Sequence, residues 1–202
     1  EVFNIPFKLD ISKNFFNENK NIKLSSKKIR LDTETSIEYE EAKIIGFFDI
    51  NSINKRNFFK YELKDNSLNF LSLESDFKGE VNFKPFYFST DLNFNYISQK
   101  KIFQSESLLI DLLDSELLNN PNLNASINIK IDKIDKFEYL QNFFSKVHLG
   151  DGRILIKNFN TEWNDAVLIK SKEIEFLNDI DGKKLVGEIM FNFDDIEKFF
   201  RY

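Results

Sequence analysis

Apolar and polar residues alternate along this chain with period two, and that pattern constrains its fold more than any other feature. Phe3, Ile5, Phe7, Leu9 and Ile11 alternate with Asn4, Pro6, Lys8 and Asp10, and Ile29, Leu31 and Thr33 with Arg30 and Asp32. Val81, Phe83, Pro85 and Tyr87 form a further series, as do Leu92, Phe94 and Tyr96. Leu123, Ala125, Ile127, Ile129 and Ile131 follow suit, and Leu185, Gly187, Ile189, Phe191 and Phe193 close the set. Successive side chains of a strand point to opposite faces, so each run reads as a strand with one apolar and one polar face. Strands of that kind belong to antiparallel sheets, because parallel strands are buried on both faces and read as continuous apolar runs. Weaker alternation at 20–25, 42–50, 58–64, 68–74, 145–149, 153–159, 165–170 and 173–177 brings the expectation to about a dozen strands.

The connections look short. Asp65-Asn66-Ser67, Lys78-Gly79, Gly150-Asp151-Gly152 and Asp181-Gly182-Lys183 have hairpin-turn composition. They predict a meandering antiparallel sheet with no room for a crossover between parallel strands. Three short helices are expected to interrupt it. Residues 102–118 place Phe103, Ile110, Leu113 and Leu117 on one stripe and end at Asn119-Asn120-Pro121. Residues 135–144 turn Phe137, Leu140, Phe143 and Phe144 inward, and residues 194–202 open on Asp194-Asp195, charges suited to a helix N-terminus. No linker rich in Pro, Gly or Ser appears. The 202 residues therefore read as one β segment, with a soft internal division near 100–120.

Composition excludes more than it assigns. There are 28 Lys+Arg against 33 Asp+Glu, for a formal charge of −5, and no segment is strongly basic, which argues against a nucleic-acid partner. Cys is absent, which removes disulfides, thiolate metal sites and a Cys nucleophile. The single His148 rules out a multi-His metal centre and makes a His-based triad hard to build. The longest apolar stretch, 107–114, is broken by Asp111 and falls far short of the roughly 20 residues of a membrane helix. The chain starts at Glu1 without a signal segment, so it is expected to be an excised piece of a longer protein. Phe occurs 24 times; AT-rich codons account for much of this, and a demand for large apolar surface is the other reading.

Catalytic signatures are missing: there is no Gly-x-Ser-x-Gly elbow, phosphate loop or Gly-x-Gly-x-x-Gly. Glu40-Glu41 and Asp194-Asp195 read as solvated surface. Asp179-x-Asp181-Gly182 resembles the middle of an EF-hand loop, but Leu177 would then occupy the first ligand position, so a hairpin turn is the better reading. His148, in Val147-His-Leu149, reads as a residue on the polar face of a strand. Trp163, the only Trp, reads as packing at a sheet edge. These features point to a non-enzyme with no metal and no cofactor. What remains is the apolar face, which three short helices can cover only in part. It either packs on itself or curls into a trough that takes an acyl chain, since hydrocarbon needs a lining free of unpaired polar groups.

The run Asp76-Phe-Lys-Gly-Glu-Val-Asn-Phe-Lys-Pro-Phe-Tyr-Phe88, with Asp91-Leu-Asn-Phe94 after it, resembles the repeated strands of AsmA-like proteins. So do Leu123-Asn-Ala-Ser-Ile-Asn-Ile-Lys-Ile-Asp-Lys-Ile134 and Leu149-Gly-Asp-Gly-Arg-Ile-Leu-Ile-Lys-Asn158, so that the resemblance covers about 70–193. It implies a curled, taco-like antiparallel β-groove in the periplasm. It also implies an anchor to the inner membrane through the rest of a longer chain, and a part in phospholipid transport or outer-membrane assembly. The expected groove lining is Phe83, Leu92, Phe94, Ile127, Ile129, Ile131, Ile154, Ile156, Ile189 and Phe191, with phospholipid as partner. The competing expectation is a closed-core structural β-domain of an envelope protein with no ligand. An outer-membrane barrel is disfavoured by the helix expected at 102–118 and by the Asp- and Lys-rich polar faces.

Overall fold

The computed structural model describes residues 5–13, 20–28, 31–40, 43–52, 55–73, 77–98, 117–179 and 182–200. Within them the chain is mainly β. The strands are β1 (Lys8–Lys13), β2 (Lys20–Ser26), β3 (Leu31–Glu40), β4 (Lys43–Ser52), β5 (Lys55–Lys64), β6 (Ser67–Ser72) and β7 (Phe77–Phe83). They continue as β8 (Phe86–Ile97), β9 (Ala125–Ile134), β10 (Leu140–Gly150), β11 (Arg153–Trp163), β12 (Val167–Asp179), β13 (Gly182–Gly187) and β14 (Met190–Phe193). All fourteen join one sheet in chain order, with β13 and β14 both paired to β12, and the sheet is curled but not closed.

Every neighbouring pair is antiparallel except β8 and β9, which run parallel. The expectation of an unbroken meander fails at this step. The chain leaves β8 at one rim of the sheet and must return to the other rim before β9 begins. The division expected near 100–120 falls on this crossover, yet the ladder passes straight through it, from Phe88↔Ala125 to Ile97↔Ile134.

The helix expectation needs the larger correction. The stretch 102–118 lies outside the described residues except at its end, where Leu117–Asn119 forms a 3-10 turn. No helix forms at 135–144. A turn occupies 135–139 and β10 begins at Leu140, with Phe143 opposite Ile131 and Phe144 opposite Asn160. The spacing of these aromatics imitates a helical stripe. However, a ten-residue helix is marginal alone, and β9 and β11 offer ladder partners on both sides. In the described part of 194–202 one turn forms, α1 (Ile196–Phe199), capped by Asp195, whose side chain accepts from the Lys198 backbone N–H.

Two turn readings also change. Asp151-Gly152 turns the chain with positive φ at both residues, as a tight hairpin requires. Lys78-Gly79 does not turn at all and lies within β7; that hairpin closes one strand length later, at Lys84-Pro85. The pieces expected at 165–170 and 173–177 are one thirteen-residue strand, β12.

Candidate functional site

Cross-strand partners share a face of the sheet, so the register can be followed from strand to strand. One row runs Gly46↔Tyr61↔Phe70↔Gly79↔Thr90↔Ile127↔Val147↔Ile156↔Ile174↔Gly187. Beside it runs Leu63↔Leu68↔Val81↔Phe88↔Ala125↔Leu149↔Ile154↔Phe176↔Leu185. On the other side lie Phe77↔Leu92↔Ile129↔Ser145 and then Phe94↔Ile131↔Phe143. The period-two alternation of each strand is thus phased with that of its neighbours into one apolar inner face. Strands spaced ~4.8 Å apart make a row through nine strands roughly 40 Å long.

The inner face of β4–β8 is aromatic. Phe48 stacks on Phe59 with ring centroids 4.9 Å apart, Phe59 meets Phe77 at 5.2 Å, and Phe70 meets Phe77 at 5.7 Å and Phe88 at 6.1 Å. Two mid-strand glycines make room for these rings. A Cβ on Gly46 would stand 2.8 Å from the Tyr61 hydroxyl, and one on Gly79 would collide with Phe70 and stand 2.6 Å from the Ser89 carbonyl. Each glycine is the direct cross-strand partner of the ring that lies over it. This aromatic cluster was not among the expected lining residues. Its signal in the sequence is the recurrence of Phe48, Phe59 and Phe70 eleven residues apart, one strand and one turn per repeat.

Three buried hydroxyls are turned back to the backbone, whereas the buried hydroxyl of Ser145, on the inner face, has no partner among the described residues. Thr90 donates to the Lys78 carbonyl at 2.7 Å, Thr161 to Gln141 at 2.9 Å and Ser171 to Glu188 at 2.6 Å. With their donors satisfied, these three side chains present mainly carbon to their surroundings. The outer face has the opposite chemistry. Lys23–Glu34 (3.2 Å), Lys43–Glu62 (3.1 Å), Lys78–Asp91 (3.7 Å) and Lys157–Glu173 (3.6 Å) pair across adjacent strands. Arg153 grips Glu175 with two hydrogen bonds, of 2.7 and 2.9 Å, and holds its carboxyl below the usual carboxylate range.

The ten expected lining residues fall into three groups. Leu92, Phe94, Ile127, Ile129 and Ile156 are half-buried on the inner face. Ile131 and Ile154 are on the same face but buried. Phe83, opposite Phe86, continues the face into an exposed position, Phe191 is exposed in β14 opposite Ile169, and Ile189 is exposed in the link between β13 and β14. Ile154 is buried because Leu117, Leu118 and Leu123 fold over it, Ala125 and Leu149, forming a local closed core at one rim. Asn119 fastens that cover by donating to the Gly152 carbonyl at 3.2 Å.

His148 lies on the outer face between Ser126 and Leu155. Trp163 packs against Tyr139 (5.9 Å) and Phe199 (6.5 Å) at the rim opposite the Leu117 cover. Among the described residues no cluster of three or more His, Cys, Asp or Glu could hold a metal ion. Comparison with protein-family models, curated proteins and solved structures finds no match.

Proposed function

We propose that this chain is a periplasmic segment of an AsmA-like protein. In this reading it binds phospholipid acyl chains along its inner face and supports lipid transport or outer-membrane assembly, without catalysis. The observation that carries the reading is the apolar row from Leu63 to Leu185, with largely apolar rows beside it, across a sheet that curls without closing. An acyl chain needs a continuous apolar lining and no hydrogen-bonding partner. A row of roughly 40 Å exceeds the ~30 Å hydrocarbon thickness of a whole bilayer. That length would take acyl chains end to end on either side of the stretch covered by Leu117, Leu118 and Leu123, while being too short by itself to join two membranes.

The test is native mass spectrometry of the chain purified from a bacterial host, followed by lipid extraction. Near-stoichiometric phospholipid on the wild-type chain, lost in Ile129→Asp with the circular dichroism spectrum unchanged, is the expected result. A clean apo mass with no uptake of added fluorescent phospholipid would refute the reading. So would an Ile129→Asp chain that simply unfolds, because Ile129 would then belong to a closed core.

The Leu117–Leu123 cover favours a second reading, a structural β-domain whose core is closed throughout. It predicts no native-state binding of an apolar dye, whereas an open trough binds one.

A further inference from the structure

Strands β10 and β11 are both bulged at one level of the sheet. Their register slips between Gln141 and Phe144 and again between Phe144 and Lys146. Asn142 and Asn158 hold positive φ, 53° and 52°, within their strands. A bulge bends its strand and re-aims the side chains beyond it. Here it brings Ile156, opposite Val147, and Phe159, an odd number of residues later, to the same face, where the Phe159 ring meets that of Phe143 at 5.4 Å. Ser145 falls in the second slip. It is 2% exposed and lies on the inner face opposite Ile129, in the row that runs on through Leu92 to Phe77. Its hydroxyl has no hydrogen-bond partner among the described residues, whereas Thr90, Thr161 and Ser171 all reach backbone carbonyls. A buried hydroxyl left unpaired works against the fold, so its presence in an apolar row calls for a partner from outside the chain.

We infer that the Ser145 hydroxyl is the polar anchor of the trough, donating a hydrogen bond to the ester carbonyl of a bound fatty acyl chain. The inference rests on the lipid-binding reading above. The surroundings select this acceptor. Ile129, Phe143, Val147 and Phe159 flank Ser145 and carry no charge, so a phosphate or a carboxylate would stand there without a counter-charge. A neutral carbonyl is tolerated in such a place once it is paired. Phe143, Val147 and Phe159 are only half-buried, and they rotate aside as the ester enters, because the hydroxyl is shielded from solvent. The position fits as well. Ser145 is four residues from Leu149, roughly 13 Å along β10, and so lies beyond the cluster capped by Leu117 and Leu118. From Ser145 over Ile129 and Leu92 to Phe77 is three strand spacings, roughly 14 Å. One leaflet of a bilayer is ~15 Å of hydrocarbon, half the core thickness. The tail therefore ends at the ring cluster, where Phe77 meets Phe59 at 5.2 Å and Phe70 at 5.7 Å. The sheet is not closed, so the headgroup stays in water on the open side.

The test pairs palmitoyl-lysophosphatidylcholine with hexadecyl-lysophosphatidylcholine, its ether analogue. The two share headgroup and chain length and differ by the ester carbonyl. Each is titrated below its micelle concentration into the whole chain, with binding read by calorimetry. Wild type is expected to bind the ester about tenfold more tightly than the ether, the worth of one hydrogen bond. Ser145→Ala is expected to bind both lipids with the affinity wild type has for the ether. It should also melt at or above the wild-type temperature, since the hydroxyl it removes has no partner in the protein. Equal affinities on wild type overturn the anchor, and that comparison needs no variant. A preference for the ester that survives in Ser145→Ala overturns it too. So does a Ser145→Ala chain that melts lower or fails to fold, because the hydroxyl would then be bonded within the protein. The two readings fail separately: uptake of both lipids without preference refutes the anchor and leaves the groove standing, whereas uptake of neither by wild type refutes the groove and the anchor with it.

Discussion

At the scale of single residues, the inner face is a problem of fit between rings and the backbone beneath them. Tyr61 and Phe70 lie over Gly46 and Gly79, where a Cβ would meet ring atoms and backbone carbonyls alike, and Tyr61 also donates to the Ser36 carbonyl at 3.0 Å. Glycine inside a strand weakens it in isolation and is retained where another group must approach closely. Gly79→Ala should therefore lower stability by about 1–3 kcal/mol, because Phe70 and the Ser89 carbonyl both stand in the way. Gly150→Ala is the control. Its new methyl would meet the His148 ring at 3.2 Å and the Asn124 side chain at 3.4 Å, groups that can shift. Urea unfolding of the two variants checks this, and equal losses would show that ring packing does not account for the glycine at 79.

Single strands and their pairs carry the electrostatics. Most outward ion pairs join neighbouring strands and are exposed, so each contributes only about 0–1 kcal/mol. Arg153–Glu175, which joins β11 to β12, has the best geometry because the guanidinium meets both carboxylate oxygens. The hydrogen bonds from Arg153 lower the Glu175 pKa against the opposing effect of desolvation. A carboxyl whose pKa is depressed by folding contributes stability above its unfolded pKa and loses it as the pH falls through the folded value. Glu175→Gln should accordingly lower the thermal midpoint near neutral pH and make no difference once the pH lies below the carboxylate range. Thermal scans from pH 7 to pH 2 read this out, and a gap that persists in acid would assign the effect to packing.

At the scale of the whole molecule, the described residues form one open sheet with β1 at one edge and β13 and β14 at the other. At β1 every residue is exposed, and the edge carries charge in the form of a Lys8–Asp10 pair at 2.8 Å, with Pro6 just before it. The other edge is broken into the short strands β13 and β14, whose described side chains are exposed. Charge, proline and short strands are devices that discourage edge-to-edge association. Between the edges, Ala125, Leu149 and Ile154 form the closed core. Native-state hydrogen exchange should follow this gradient, slowest in β8–β11 and fastest in β1 and β13. Uniform protection by mass spectrometry would mean that the edges are covered in solution.

Period two marks most of the strands in the sequence, because it is a local property that each segment carries regardless of its partners. Eight of the ten expected lining residues share the inner face by register, since the same odd-or-even phase that marks a strand also marks its apolar side. The aromatic cluster at Phe48, Phe59, Phe70 and Phe77 was only half legible: its spacing is in the chain, but the glycines that seat the rings are matched to them across strands. Tertiary structure alone decided that 135–144 pairs as strand rather than winding as helix, and that β8 and β9 run parallel. Pairing energy depends on what lies alongside, and no local pattern encodes the neighbour. Whether the apolar face is covered is decided at the same level, because Leu117, Leu118 and Leu123 reach Ala125 and Ile154 only after the chain has crossed the sheet.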